Sequence, residues 1–93
     1  MSLLFFRLLK VRNEKQQSAL IKIGEIIRNH RTALKISRVK LALEINTDEK
    51  HIRRIESGES NPTIITLMKI FFVLNIDFEV LSKLKIDRTF LGD

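Results

Sequence analysis

At 93 residues the chain is long enough for one small domain and too short for two independent hydrophobic cores. It has no cysteine, which excludes disulfides and thiolate metal sites, and its formal charge of +6 is unevenly spread: residues 1 to 54 carry thirteen Lys/Arg against five Asp/Glu, the remainder four against six. Stability must therefore come from packing, a reducing cytoplasmic compartment fits best, and the basic half is expected to meet a polyanion.

The chain opens on MSLLFFRLLKV, an apolar run broken by Arg7 and Lys10 that lacks the small-residue cleavage site of a signal peptide and is too short to span a bilayer. Residues 1 to 13 read as an extension, either an extra element covering the domain or a start-site appendage. Beyond them, one proline, three glycines, scarce alternation and the absence of repeats predict helices joined by short turns. A first helix spans residues 14 to 33, where Ala19, Ile23, Ile26, Ile27 and His30 recur at spacings of three and four. Ser37 is the N-cap of a short second helix through Ile45, with Val39, Leu41, Ala42 and Ile45 available for burial; Asn46 ends it, since asparagine tolerates the left-handed conformation. Asp48 caps a third helix, about residues 48 to 57, closed by Gly58. Ile52 and Ile55 point one way along it, and Glu49, Lys50, Arg53 and Arg54 occupy the other faces. Pro62 and a capping Thr63 introduce a fourth helix ended by Asn75, and Asp77 caps a shorter fifth through about Leu84. The domain proper is thus expected over residues 14 to 85, with residues 86 to 93 as a tail of open conformation.

A short helix, a tight turn and a second, polar-faced helix on a helical core make the helix-turn-helix plan. The segments IGEIIRNHR, ISRVKLALEI, NTDEKHIRRIESGESNP and LMKIFFVLNI strongly resemble the Cro/cI-type (XRE family) helix-turn-helix domain of bacterial and phage repressors. The resemblance covers about residues 23 to 81, and its most specific part is Leu41-Ala42 with Ile52, Ile55 and Glu56 at the family's offsets, closed by Gly58 and Asn61-Pro62. It implies an all-α fold, a compact five-helix lambda-repressor-like helix-turn-helix domain with short terminal extensions. Physical reasons stand beside it: Ala42 is small where two helices must approach, Ile52 and Ile55 seat the third helix, and Gly58 caps it.

The resemblance also implies roles. Glu56 matches the family glutamate that pairs with an arginine on the first helix, here Arg31, as scaffold. Glu49, Lys50 and Arg54 match the base-reading positions, with His51 and Arg53 flanking them. Arg38 stands where the family often has glutamine, at the start of the second helix and toward a backbone phosphate. Ser60 and Asn61 are either further backbone contacts or simple turn residues around Pro62. Arg54 and Lys50 can donate to guanine O6/N7 and Glu49 can accept from cytosine N4, which suggests a G·C-containing half-site. Asp48, Glu49 and Glu59 set carboxylates toward phosphate; Asp48 has a capping role to explain it, and Glu59 has none visible in the sequence. His30 replaces a family leucine and reads as a hydrogen-bonded core or rim residue rather than a ligand.

The expected function is that of a sequence-specific DNA-binding transcriptional regulator, a repressor or autoregulator. It would act as a homodimer on a near-palindromic double-stranded operator with half-sites about 34 Å apart. An antitoxin or the controller protein of an operon is a subtype, and a protein-interaction module that has lost DNA binding is the alternative class. Phe71, Phe72, Phe78 and Phe90, with Ile65 one heptad before Phe72, supply more apolar surface than a tiny core needs. Two readings are open: an enlarged core covered by the N-terminal segment, or a dimer surface that includes Ile65, Phe72 and Phe78. Two histidines, no tyrosine, no phosphate-cradling glycine loop and no paired ligand spacing argue against an enzyme, a metal or another cofactor. Neither a membrane partner nor a small-molecule effector is expected.

Overall fold

A computed structural model describes residues 13–92. Among these residues the chain forms α1 (Glu14–Ala33), α2 (Arg38–Glu44), α3 (Glu49–Glu56) and α4 (Ile64–Leu74), followed by two 3-10 segments, Phe78–Lys83 and Arg88–Leu91. The expectations for the first 12 residues, as a cover for the domain or as an apolar contact surface, lie outside the described residues.

The helices begin where short polar side chains can satisfy the first backbone N–H groups. Asn13 makes a capping box with Gln16, Ser37 Oγ accepts from the Lys40 amide at 3.0 Å, Asp48 Oδ1 from His51 at 2.8 Å and Thr63 Oγ1 from Thr66 at 3.1 Å. They end where the backbone turns left-handed, at Lys35 (φ 57°), Asn46 (φ 59°), Gly58 (φ 82°) and Asn75 (φ 56°). The two asparagines and Gly58 are the stops that the sequence announces; Lys35 is not, because nothing in a lysine favours that conformation. At Gly58 the absent side chain matters twice, since a Cβ would also lie 2.7 Å from Ile21 Cγ1 of α1.

One core unites the elements: Ile27 of α1, Leu41, Ala42 and Ile45 in and after α2, Ile52 and Ile55 of α3, and Leu67, Ile70, Phe71, Leu74 and Ile76 from α4 onward. One position offered for burial falls outside it: Val39 is 55% exposed, because on a helix it points roughly 110° away from the sector shared by Leu41, Ala42 and Ile45. His30, read as a hydrogen-bonded core or rim residue, is exposed, about 90° from the line of Gly24, Ile27 and Arg31, and its Nδ1 lies 2.8 Å from the Ile26 carbonyl oxygen.

The fifth helix is a 3-10 helix, with Val80 and Leu81 partly buried against the core, the Phe78 ring packed on that of Phe71, and no fully buried residue. Six residues with so little to bury gain little from the costly first α-helical turn. The tail returns to the start of α1: Asn13 Nδ2 donates to the Thr89 carbonyl at 3.0 Å and Gln16 Nε2 to that of Phe90 at 2.7 Å. No helix among the described residues is long and apolar enough to cross a membrane.

Candidate nucleic-acid interface

α2 and α3 are joined by residues 45 to 48, with the Thr47 amide donating back to the Ala42 carbonyl at 2.8 Å. Leu41, Ala42 and Ile45 on one side and Ile52 and Ile55 on the other belong to the same buried cluster, so the two helices share one packed core. α1 braces it from behind at an unusually close approach: a Cβ on Gly24 would sit 2.3 Å from the Glu56 carbonyl oxygen and 2.6 Å from that of Ile55. Gln17 adds a hydrogen bond from Nε2 to the Gly58 carbonyl at 3.0 Å.

The charged residues at the end of α3 divide by burial. Glu56 is buried, and its carboxylate receives Arg31 Nε on Oε2 at 2.5 Å and Arg31 Nη2 on Oε1 at 3.1 Å. Arg31 is buried too, and its Nη1 donates to the Ile36 carbonyl at 2.9 Å, so one guanidinium ties α1, the α1–α2 turn and α3 together. Arg38, read from the sequence as a phosphate contact, also touches this cluster: its Nε donates to Glu56 Oε1 at 3.1 Å. No sequence pattern announces a contact between side chains 18 positions apart. Gly24 was legible in principle, because a mid-helix glycine costs about 1 kcal/mol relative to alanine and so asks for a packing reason.

The opposite face of α3 carries Lys50, Arg53 and Arg54, all exposed, with Glu49 and His51 partly exposed. Lys50 and Arg54 make no side-chain hydrogen bond or ion pair among the described residues. Glu49 and Arg53 form an i,i+4 pair at 3.9 Å between largely solvated groups. Such a pair is worth about 0.3 to 0.5 kcal/mol, so a nucleic acid could displace either partner at little cost. Asp48 is committed to its cap. Glu59, for which the sequence shows no role, accepts a hydrogen bond from Ser57 Oγ at 2.7 Å and so helps fix the turn that follows α3. In that turn the Ser60 amide donates to the Arg54 carbonyl at 3.1 Å, whereas Asn61 is exposed at the edge of a cleft of about 580 Å³ formed by Gln16, Leu20, Ile23, Leu81 and Phe90.

The apolar surplus divides as well. Phe71 is buried, its ring 4.7 Å from that of Phe78, while its neighbour Phe72 is 86% exposed. Ile65, Met68 and Phe72 follow one another at spacings of three and four on α4 and, with Phe78, form an exposed apolar stripe. Among the described residues no three His, Cys, Asp or Glu side chains are grouped to hold a metal ion.

The model of a family described as helix-turn-helix matches residues 27–81. Among solved structures, the restriction-modification controller protein C.AhdI from Aeromonas hydrophila is similar to this chain, with 28% sequence identity and a TM-score of 0.65 over 70% of this chain and 94% of that one. No curated protein gives a significant match.

Proposed function

Because the chain belongs to the helix-turn-helix family of DNA-binding transcriptional regulators, we propose that it reads a near-palindromic operator in the cytoplasm as a homodimer, with α3 in the major groove. The observation that carries this reading is the division of α3: Ile52, Ile55 and Glu56 are locked into the scaffold, and Lys50 and Arg54 are left exposed without partners among the described residues. Lys50 and Arg54 would donate to guanine edges, and Glu49, once released from Arg53, would accept from a cytosine amino group. His51, Arg53, Ser60 and Asn61 would contact the flanking backbone. The exposed stripe of Ile65, Met68, Phe72 and Phe78 supports a two-fold contact between copies, because a dimer would withdraw this apolar surface from water.

A controller protein of a restriction-modification operon is the subtype we favour. The likeness to C.AhdI extends over nearly that whole chain. The experiment is a fluorescence titration of a duplex selected by the protein from a randomised pool, and of a scrambled duplex, at several salt concentrations. The reading predicts affinity that falls steeply with salt for both and a selected duplex bound at least about a thousandfold more tightly. Failure to bind either at low salt would instead favour a protein-interaction module that has lost DNA binding.

A further inference from the structure

We propose that the apolar cleft between α1 and the C-terminal tail is the seat of the chain's own residues 1 to 12, docked there from the same copy. The proposal is independent of the DNA-binding reading. The cleft, of about 580 Å³, lies between Leu20 and Ile23 of α1 and Leu81, Leu84, Ile86 and Phe90 beyond α4. Among the described residues that line it none is charged, and Gln16 and Asn61 supply the polar groups, so a polyanion finds no counter-charge there. A leucine side chain removed from a core leaves roughly 150 Å³, and the cleft therefore has room for about three or four large apolar side chains. Ile86 on its wall is 64% exposed.

Composition is the first pointer to the occupant. Residues 1 to 12 include Leu3, Leu4, Phe5, Phe6, Leu8 and Leu9, with Arg7, Lys10 and Arg12 as the only charged side chains, an apolar surplus that water disfavours. The point of entry is the second. The segment joins the described chain at Asn13, whose Nδ2 donates to the carbonyls of Thr89 at 3.0 Å and Phe90 at 3.4 Å, and Gln16 Nε2 donates to Phe90 as well. The segment is thus tied to one wall of the cleft where it begins, and the extended backbone of Asn13 turns it off the helix axis. Twelve extended residues reach up to about 40 Å, whereas the α1 side of the cleft, from Gln16 to Ile23, rises about 10 Å. The third pointer is where the family fold stops. The family model covers residues 27–81, so the wall made by Leu84, Ile86 and Phe90 lies outside it, and so does the segment. One extension makes an apolar cleft, and the other brings the side chains that fit it. The short tether holds the segment at about millimolar effective concentration, which favours it over a second copy's segment at micromolar protein.

Because the chain has no cysteine, Ser2→Cys carries a nitroxide spin label at a single place. The labelled and isotopically enriched full chain is diluted into excess unenriched wild type, so that NMR reads contacts within one copy. The amide signals of Ile23, Leu84 and Ile86 are expected to be lost, and those of Lys50 and Arg54 in α3 to be kept. Ile86→Glu, which sets a charge on the cleft wall at an exposed position, should restore the signals of Ile23 and Leu84 and leave the α3 amides unshifted, the control for an intact fold. If the Ile23 and Leu84 signals are never lost, the segment does not occupy the cleft. If they are lost only when the spin label and the enrichment are on different copies, a second copy's segment fills it. If they stay lost in Ile86→Glu, the tether alone brings the label near. Each of these three results overturns the proposal.

Discussion

Arg31 on the last turn of α1 meets Glu56 at the end of α3 in two N–H···O contacts of 2.5 and 3.1 Å, and both side chains are almost wholly buried. Removing the carboxylate would leave Arg31 charged and unpaired in the interior. Breaking such a pair costs about 3 to 5 kcal/mol, a large share of a small domain's stability. Glu56→Ala is therefore expected to lower the melting temperature by roughly 15 °C or more, measured by circular dichroism. An unchanged melting curve would show that the pair contributes nothing net.

Gly24 makes a second, independent prediction about the same junction. An alanine there improves helix propensity by about 1 kcal/mol but drives its Cβ into the backbone carbonyls of Ile55 and Glu56, which cannot move aside as a flexible side chain could. Gly24→Ala should destabilise the protein by about 1 to 3 kcal/mol in urea denaturation. A stabilised variant would mean that α1 can slide away from α3 freely.

Much of this was legible in the sequence because it depends on local chemistry. Ser37, Asp48 and Thr63 cap helices, and Asn46, Gly58 and Asn75 end them, through properties that these residues have in any chain. The α3 division into Ile52 and Ile55 inside and charged residues outside follows from helical period alone. What escaped depends on geometry between elements. The second hold on Glu56 by Arg38, the Gly24 contact and the opposite fates of Phe71 and Phe72 are set by where helices cross, which periodicity does not encode. The 3-10 form of residues 78 to 83 escaped for a different reason: a cap and two half-buried residues specify a turn of helix without choosing its kind.

Phe72 tests the proposed dimer. Since its side chain is exposed, Phe72→Glu removes apolar surface without opening the core, and stability of the isolated fold should change by no more than about 0.5 kcal/mol. In sedimentation at micromolar protein the wild type is expected as a dimer and the variant as a monomer. Wild type sedimenting as a monomer, or a variant still dimeric, would move the contact away from α4.

Asp87 gives a pH prediction. Hydrogen bonds from the Thr89 hydroxyl and then the Thr89 amide hold its carboxyl below its ordinary value of 3.8, with the Lys15 charge adding to the effect. A carboxyl depressed on folding supports the fold above its unfolded value, and that support is lost as pH falls through the folded one. The turn at Arg88–Leu91 should therefore be indifferent to pH between neutrality and about pH 5, and should loosen only in stronger acid. NMR titration of the Thr89 amide would report this; a transition near neutrality would contradict it.

The most direct test of the central claim, that α3 reads bases, is a binding profile of wild type and Arg54→Ala on the selected duplex and on its single-base-pair variants. The account predicts that Arg54→Ala loses about 1 to 3 kcal/mol on the selected duplex and becomes indifferent to the base pair at one position, with discrimination elsewhere preserved. Uniform weakening on every duplex, with a shallower salt dependence, would make Arg54 a phosphate contact and contradict the claim.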